Sequence, residues 1–103
     1  DGVLPPRFGV YAALACFDGA AHPAVVNIGT RPTVDGKHVT VEPWLLDYDG
    51  DLYGRRLRLE FYEFLRPEQK FSSLEDLRQE VLRNAAQTRE YFEKTGISGG
   101  FLR

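Results

Sequence analysis

The chain has 103 residues, 43% of them hydrophobic and 13% aromatic, and a formal net charge of −2. This length suits one small domain that can bury its own core, and mixed charges without a basic stripe argue against nucleic acid as a partner. The single cysteine, Cys16, cannot form an internal disulfide, and no apolar run is long enough to span a membrane. We therefore expect Cys16 to be a small core residue of a cytoplasmic protein without a membrane partner.

The first two-thirds of the chain has the pattern of β-strands. Strands are predicted at 8–17, 24–28, 39–46 and 57–62. The first is apolar on both alternating faces, which predicts a strand buried on both sides or lining a barrel. The last alternates strictly and predicts a half-buried strand, with a bulge or an end at Glu63. The segment 29–37 contains Gly, Pro and Asp-Gly and predicts a loop.

The period then changes to that of a helix. Apolar or small residues recur every three or four positions, at Leu74, Leu77, Val81, Ala85, Thr88 and Phe92. Ser72 and Glu75 have the spacing of a capping box, and Thr95-Gly96 supplies a stop. The predicted fold is therefore mainly β with one C-terminal helix. Four strands with two-sided burial rarely complete a sheet, so either a barrel is open or further strands lie outside this chain.

Glu42 is the first candidate for chemistry. Strand alternation puts it on the same face as Trp44 and Leu46, where partial desolvation would make the carboxylate a better base. The alternative is that Glu42 points to water while Trp44 covers the end of the barrel, and the residues alone favour that alternative. Pro43 cannot donate to a ladder, so it indicates an edge strand.

The run from Asp47 to Gly54 packs three carboxylates, two tyrosines and two glycines into eight positions. Two residues such as Asn-Gly are enough to close a hairpin, so we interpret this longer run as a binding loop. Asp47, Asp49 and Asp51 alternate like cation ligands, but a solvated turn is the better interpretation because the length and closing Glu of a calcium loop are missing. Tyr53, followed by glycine, is compatible with a planar ligand that lies on the backbone under the ring.

Arg31 and the hydroxyls of Thr30 and Thr33 could clamp a phosphate, although the end of a Walker loop is missing. A surface turn is the favoured interpretation of these residues. His22 and His38 have no partners at metal-ligand spacing, which argues against structural zinc.

The segment from Arg66 to Glu75 runs from a strand end into a helix N-terminus. Free amides there attract electron-rich groups, such as phosphate oxygens or ring carbonyls. Phe71 could stack on a flat ring. Alternatively, Phe71 and Leu65 plug the junction between helix and barrel.

Five ordered motifs extend over nearly the whole chain. They are Leu4-Pro5-Pro6 with Gly9-Val10-Tyr11-Ala12, Asn27-Ile28-Gly29-Thr30-Arg31-Pro32-Thr33, Val41-Glu42, Leu46-Asp47-Tyr48-Asp49-Gly50-Asp51-Leu52-Tyr53-Gly54, and Leu65-Arg66-Pro67-Glu68-Gln69-Lys70-Phe71 with Ser73-Leu74. Together they resemble the riboflavin kinase module of bacterial bifunctional riboflavin kinase/FAD synthetases. The resemblance implies a small antiparallel Greek-key β-barrel with a C-terminal helix.

The resemblance also implies a reaction, in which ATP with Mg²⁺ phosphorylates riboflavin to FMN as part of FMN and FAD biosynthesis. It implies that Glu42 is the catalytic base that takes the proton of the terminal ribityl hydroxyl. The implied nucleotide-binding residues are Asp51, Tyr53 and Gly54. The implied flavin-binding residues are Arg66, Phe71, Ser72, Leu74 and Glu75. In the parent chain an N-terminal adenylyltransferase domain would be a partner.

The chain departs from the family pattern at two places. The family's magnesium and phosphate contacts come from a Gly-rich stretch ending in Pro-Thr-any-Asn, upstream of the first motif, so no metal ligand is expected in this chain. Thr33 does not take that role because Val34-Asp35 follows it. Pro43 replaces the usual residue after the base, which could move the Glu42 carboxylate.

The chain has no Met and begins at Asp1, so we expect an excised piece of a longer protein. Residues 1–103 would be a riboflavin kinase domain that lacks its N-terminal strand or strands and the magnesium- and phosphate-binding segment. Alone, such a piece is expected to be weakly active or inactive. The alternatives are a non-catalytic flavin- or nucleotide-binding module, or a structural β-barrel module of a larger enzyme.

Overall fold

Four antiparallel strands and one long helix make up most of the structure, a computed structural model that describes residues 7–96 and 100–101. The elements are β1 (Gly9–Phe17), β2 (Ala20–Thr33), β3 (Gly36–Leu45), β4 (Arg58–Arg66), α1 (Leu74–Thr95) and β5 (Gly100–Phe101). The strand order is β3-β2-β1-β4, and the two-residue β5 pairs with β2. A fourth strand beside the first is the order of a Greek key. The predicted class, mainly β with a C-terminal helix, is confirmed.

The central strand β1 is buried on both faces, as its sequence predicts. On one face, Tyr11 and Ala13 belong to a core cluster that is covered by the loop between β3 and β4. We call this the loop face. On the other face, Val10 packs in a cluster with Ala85 of α1, and Cys16 packs in a second cluster with the helix. We call this the helix face. Cys16 is a buried free thiol, so its interpretation as a core residue is confirmed.

The loop predicted over 29–37 is wrong, and so is the surface turn predicted for Thr30 to Thr33. Strand β2 continues to Thr33 and β3 begins at Gly36, so the connection is only a tight turn. The loop was predicted partly because Pro32 cannot donate a backbone hydrogen bond. However, β1 pairs with β2 only up to Ile28. Beyond that point β2 has β3 on one side only, and a strand with an open side tolerates a residue without an N–H. Strand β3 lies at the end of the strand order, as Pro43 indicated.

Strand β4 contains two irregularities opposite β1. The register shifts between Glu63 and Phe61, and again between Arg66 and Phe64. The slip predicted at Glu63 is therefore confirmed as a bulge, although the strand continues three residues further. The bulges bend the strand and leave Arg66 opposite Val10, on the helix face.

Helix α1 starts one residue later than the capping-box pattern predicts. Ser73 is the N-cap, and its Oγ accepts a hydrogen bond from the backbone N–H of Asp76 at 3.1 Å. Ser72 instead donates its hydroxyl to the Asp76 carboxylate at 2.9 Å. The predicted stop is confirmed, since Gly96 adopts the left-handed conformation that ends a helix (φ 75°). No helix in the described part of the chain is both long and apolar enough to cross a membrane.

Only part of the predicted apolar face of α1 is buried. The helix buries Ala85, Thr88 and Phe92 against the sheet, and also Asn84. Leu74, by contrast, is 83% exposed and Leu77 is 39% exposed. The first turns of the helix therefore extend beyond the core, and they leave space between the helix and the sheet.

A polar network joins the middle of α1 to the end of β4. The Nε of Arg66 donates to Oδ1 of Asn84 at 3.0 Å and lies 3.1 Å from Oε2 of Glu80. The amide of Asn84 donates to Gln87 at 2.9 Å. Arg83 donates to the other oxygen of Glu80 at 3.1 Å. Within the described residues no buried side-chain polar atom lacks a partner, which is the condition under which a buried charge is tolerated.

The network predicts how stability depends on pH. Hydrogen bonds from Arg83, together with the charges of Arg83 and Arg66, lower the pKa of Glu80 against the opposing effect of desolvation. A carboxylate with a lowered pKa stabilises the fold above its unfolded pKa, and this contribution is lost as pH falls through the folded pKa. We expect Glu80→Gln to lower the free energy of unfolding near neutral pH by about 1–3 kcal/mol. The difference from wild type should shrink below about pH 4.

Urea denaturation at several pH values measures this difference. Glu90→Gln is the matched control, since Glu90 lies exposed on the same helix. A loss in Glu80→Gln that is the same at acidic and neutral pH would contradict the prediction.

Candidate functional site: a groove between the sheet and the helix

A groove of about 330 Å³ opens between the helix face of the sheet and the first half of α1. Val10 and Val25 form its apolar floor, and Leu77 and Val81 form the helix side. Trp44 lines it from the edge strand β3 and is 43% exposed. Polar side chains complete the lining, so the groove has the mixed character of a small-molecule site.

Strand register aligns four of the lining residues in one row. Glu42 of β3 lies opposite Asn27 of β2, Asn27 lies opposite Val10 of β1, and Val10 lies opposite Arg66 of β4. All four line the groove. Three strand spacings put the ends of the row about 14 Å apart at the backbone. The groove therefore has a carboxylate at one end, a guanidinium at the other and an amide between them.

Glu42 lies at the mouth of the groove. Its side chain is 53% exposed, and its Oε2 accepts a hydrogen bond from Nη2 of Arg31 at 2.9 Å. Trp44 lines the same groove, so the two side chains that strand alternation predicted to share a face do share a site. Trp44 also borders a neighbouring cavity of about 410 Å³ that includes Asp47 and Arg89. The indole therefore stands between two cavities.

Arg66 closes the other end of the groove. Its side chain is only 14% exposed, because it is engaged with Glu80 and Asn84. Its guanidinium carbon lies 5.5 Å from the ring centroid of Phe71, within the range of a cation–π contact. The structure thus brings the predicted base Glu42 and the predicted flavin residue Arg66 to one groove, with Phe71 beside Arg66.

Three other predicted flavin residues lie at the start of α1 and do not line the groove. Ser72 is bonded to Asp76, and Leu74 projects into solvent. Glu75 accepts a hydrogen bond from Gln79 at 3.0 Å. These residues lie beside the helix N-terminus, on its exposed side.

The predicted nucleotide residues lie away from the groove, in the loop between β3 and β4. Asp51 accepts a hydrogen bond from the backbone N–H of Tyr53 at 2.9 Å, and the Tyr53 ring is 95% exposed. Leu52 packs on the loop face of the sheet, and Arg55 pairs with Asp18 in the turn between β1 and β2. The loop, including Gly54, is therefore not brought together with Glu42.

The aspartates of this loop do not converge on one point. Asp47 pairs with Arg89 of α1 at 2.9 Å, while Asp51 is engaged with its own loop. In residues 7–96 and 100–101 no three potential metal ligands lie close together. His22 packs against the rings of Phe17 and Tyr48, with centroid distances of 4.9 and 5.0 Å, in a cluster of three rings.

The groove also contains residues that the sequence did not single out as functional. Asn27 joins it through strand register, and Asn84 and Val81 join it through the packing of α1. The carboxylate of Glu68 lies directly over the bare backbone of Gly29, where any added Cβ would collide with it. In the sequence, the features that pointed to these residues were the position of Asn27 within a family motif and the helical spacing of Val81.

Comparison with known proteins points to one family. The model of the riboflavin kinase (flavokinase) family matches residues 1–92. The chain is 48% identical over 86 residues to the bifunctional riboflavin kinase/FMN adenylyltransferase of Pseudomonas fluorescens, covering 82% of the chain and 27% of that relative. It is 42% identical over 93 residues to the enzyme of the same description from Escherichia coli K12, covering 89% and 30%. The chain thus spans less than a third of these relatives.

A solved structure shares the fold. The crystal structure of a protein described as a macrolide-efflux protein from Streptococcus pneumoniae matches with a TM-score of 0.78 and 25% sequence identity. The match covers 86% of this chain and 29% of the other. This similarity supports the arrangement of the strands and the helix.

The geometry predicts that Arg66 is needed for stability as well as for the groove. Arg66→Ala would remove the donor to Oδ1 of Asn84 and one of the two arginines paired with Glu80, and we expect it to lower the free energy of unfolding by about 2–4 kcal/mol. Arg55→Ala is the matched control, because it removes the exposed pair with Asp18 and should cost less than about 1 kcal/mol. Urea denaturation of both variants decides the matter, and equal losses would refute the structural role of Arg66.

Proposed function

The chain belongs to the riboflavin kinase family, and from this premise we propose that its groove is the place where riboflavin receives a phosphoryl group from ATP. The products are FMN and ADP. The observation that carries the proposal is the row across the sheet, with the Glu42 carboxylate at the mouth of the groove and Arg66 at its closed end. Because the chain covers only 27–30% of the length of these relatives, the activity of the whole protein is also a proposal.

In the proposed reaction, Glu42 is the general base. The terminal ribityl hydroxyl attacks the γ-phosphorus with an oxygen lone pair, and its proton passes to the Glu42 carboxylate. A bond forms between this oxygen and phosphorus while the bond to the β-phosphate oxygen breaks, so ADP leaves with that electron pair. Phosphoryl transfer needs little covalent assistance, so the main contribution of the groove is to hold the hydroxyl in line.

The flavin ring would lie along the apolar lining of the groove. Val25, Leu77 and Val81 offer apolar contacts, and the exposed indole of Trp44 offers a flat surface. Arg66 and Phe71 would meet the ring at the closed end. This placement would direct the ribityl chain toward Glu42, because the open mouth lies at that end of the row.

The start of α1 completes the proposed flavin site. Ser72, Leu74 and Glu75 would contact the edge of the flavin that projects from the groove. Free amides at a helix N-terminus attract electron-rich groups such as ring carbonyls.

ATP would bind along the edge strand β3. Asp51, Tyr53 and Gly54 lie away from the groove, so a nucleotide held by their loop would have to extend its phosphates around the edge of β3 to reach Glu42. Mg²⁺ would arrive with ATP. We assign Mg²⁺ no residue here and propose, from the family resemblance, that its protein ligands lie upstream of the Leu4-Pro5-Pro6 motif.

The same proposal concerns the whole domain. Residues 1–103 would be a cytoplasmic riboflavin kinase domain that, with upstream strands, closes into a Greek-key barrel and adjoins an adenylyltransferase domain. The 103-residue chain by itself would then be weakly active or inactive. The competing hypothesis is a module that binds flavin or nucleotide without turnover.

The assignment of the base predicts a specific loss of activity. In the protein as it occurs naturally, we expect Glu42→Gln to lower the rate of FMN formation at least about tenfold, or about 1.4 kcal/mol of barrier, because the amide cannot accept the proton. Chromatographic detection of FMN measures the rate. Glu93→Gln, in the exposed last turns of α1, is the control and should retain wild-type activity. A smaller loss in Glu42→Gln would refute the assignment.

The flavin site predicts binding that depends on Trp44. Titration of riboflavin fluorescence with the 103-residue chain, without ATP, should reveal binding. Trp44→Ala should weaken it about tenfold or more because a stacking surface is lost, whereas Trp44→Phe should retain most of it. Unchanged riboflavin emission at high protein concentration would exclude flavin binding by this chain. Binding without FMN formation in the natural protein would favour the non-catalytic module.

A further inference from the structure

The ion pair between Arg31 and Glu42 is a contact to which the proposed reaction gives no role. The two residues lie on neighbouring strands, where Arg31 is opposite His38 and Glu42 is opposite Asn27. Strand alternation puts both side chains on the helix face. Nη2 of Arg31 donates a hydrogen bond to Oε2 of Glu42 at 2.9 Å.

Stability does not explain this pair. The side chains are 65% and 53% exposed, and a single nitrogen–oxygen contact joins them. Exposed ion pairs contribute little to folding, since solvent and salt screen them and two long side chains must be ordered. The pair can still influence the Glu42 carboxylate at the mouth of the groove.

A hydrogen bond from Arg31 can orient the carboxylate of Glu42. A carboxylate on an exposed edge strand rotates about its side-chain bonds, and a base must present one oxygen to the hydroxyl in a fixed direction. Arg31 engages Oε2, so Oε1 is the oxygen that does not share this contact. A planar guanidinium is well suited to fix a carboxylate in this way.

Gly29 lies between Asn27 and Arg31 on the same face of β2. Its missing side chain leaves the space that the Glu68 carboxylate occupies. Glu68 makes no ion pair with Arg31 within the described residues, so the guanidinium is directed to Glu42 rather than to the other carboxylate of the groove.

We propose that Arg31 is a positioning residue for the reaction: it holds one oxygen of Glu42 so that the other faces the ribityl hydroxyl. The inference rests on the proposed function, because it gives Arg31 its effect through Glu42. It also gives a role to the Thr30–Thr33 motif that differs from the phosphate clamp considered from the sequence.

Steady-state kinetics of the protein as it occurs naturally tests this role. We expect Arg31→Ala to lower kcat about tenfold while the KM values for riboflavin and ATP change less than about threefold, because the substrates do not touch Arg31. Arg31→Lys should recover most of kcat, since an ammonium group can engage the same oxygen. The double variant Arg31→Ala/Glu42→Gln should be no slower than Glu42→Gln alone, because Arg31 has nothing left to orient.

A matched control separates this role from a general effect of removing a surface charge. Arg58→Ala breaks a comparable exposed pair, Arg58–Glu60 at 2.9 Å, and should leave kcat and the urea midpoint unchanged. Arg31→Ala should also leave the urea midpoint unchanged.

Three results would overturn the proposal: an unchanged kcat in Arg31→Ala, a raised KM for ATP with unchanged kcat, or additive losses in the double variant. The second result would indicate a phosphate-binding residue instead. If Glu42→Gln itself is fully active, the proposed function fails as well, and that outcome is recognised from the single variant alone.

Discussion

The groove depends on the engagement of Arg66 with Glu80 and Asn84. These contacts fix the middle of α1 against the last residue of β4, and the turns before that point extend past the core and form one side of the groove. A partly buried guanidinium needs its partners in place, so these contacts help to fix the helix relative to the end of β4.

The register of the strands brings the polar residues of the groove together. Glu42, Asn27 and Arg66 are far apart in the chain, but the pairing of four strands puts them in one line. The two bulges of β4 are part of this arrangement, because each shifts the pairing by one residue and together they leave Arg66 opposite Val10. A slip of one residue in any strand would turn its side chain to the loop face.

Much of the fold was predictable because it follows from local rules. The two-sided apolar pattern of β1, the edge position of Pro43 and the helix stop at Gly96 all depend on residues close in the chain. The loop predicted over 29–37 failed because Pro32 was judged without knowing that β2 has a single neighbour there. Asn27 and Asn84 were missed as site residues because their positions depend on strand pairing and helix docking. The roles assigned to the loop from Asp51 to Gly54 remain predictions.

The side chain of Trp44 separates two cavities. The same indole borders the groove and the cavity beside Asp47 and Arg89, so the two spaces share one wall. A rotation of that ring would enlarge one cavity at the expense of the other. In the proposed function, this single side-chain torsion would set the width available to the flavin ring.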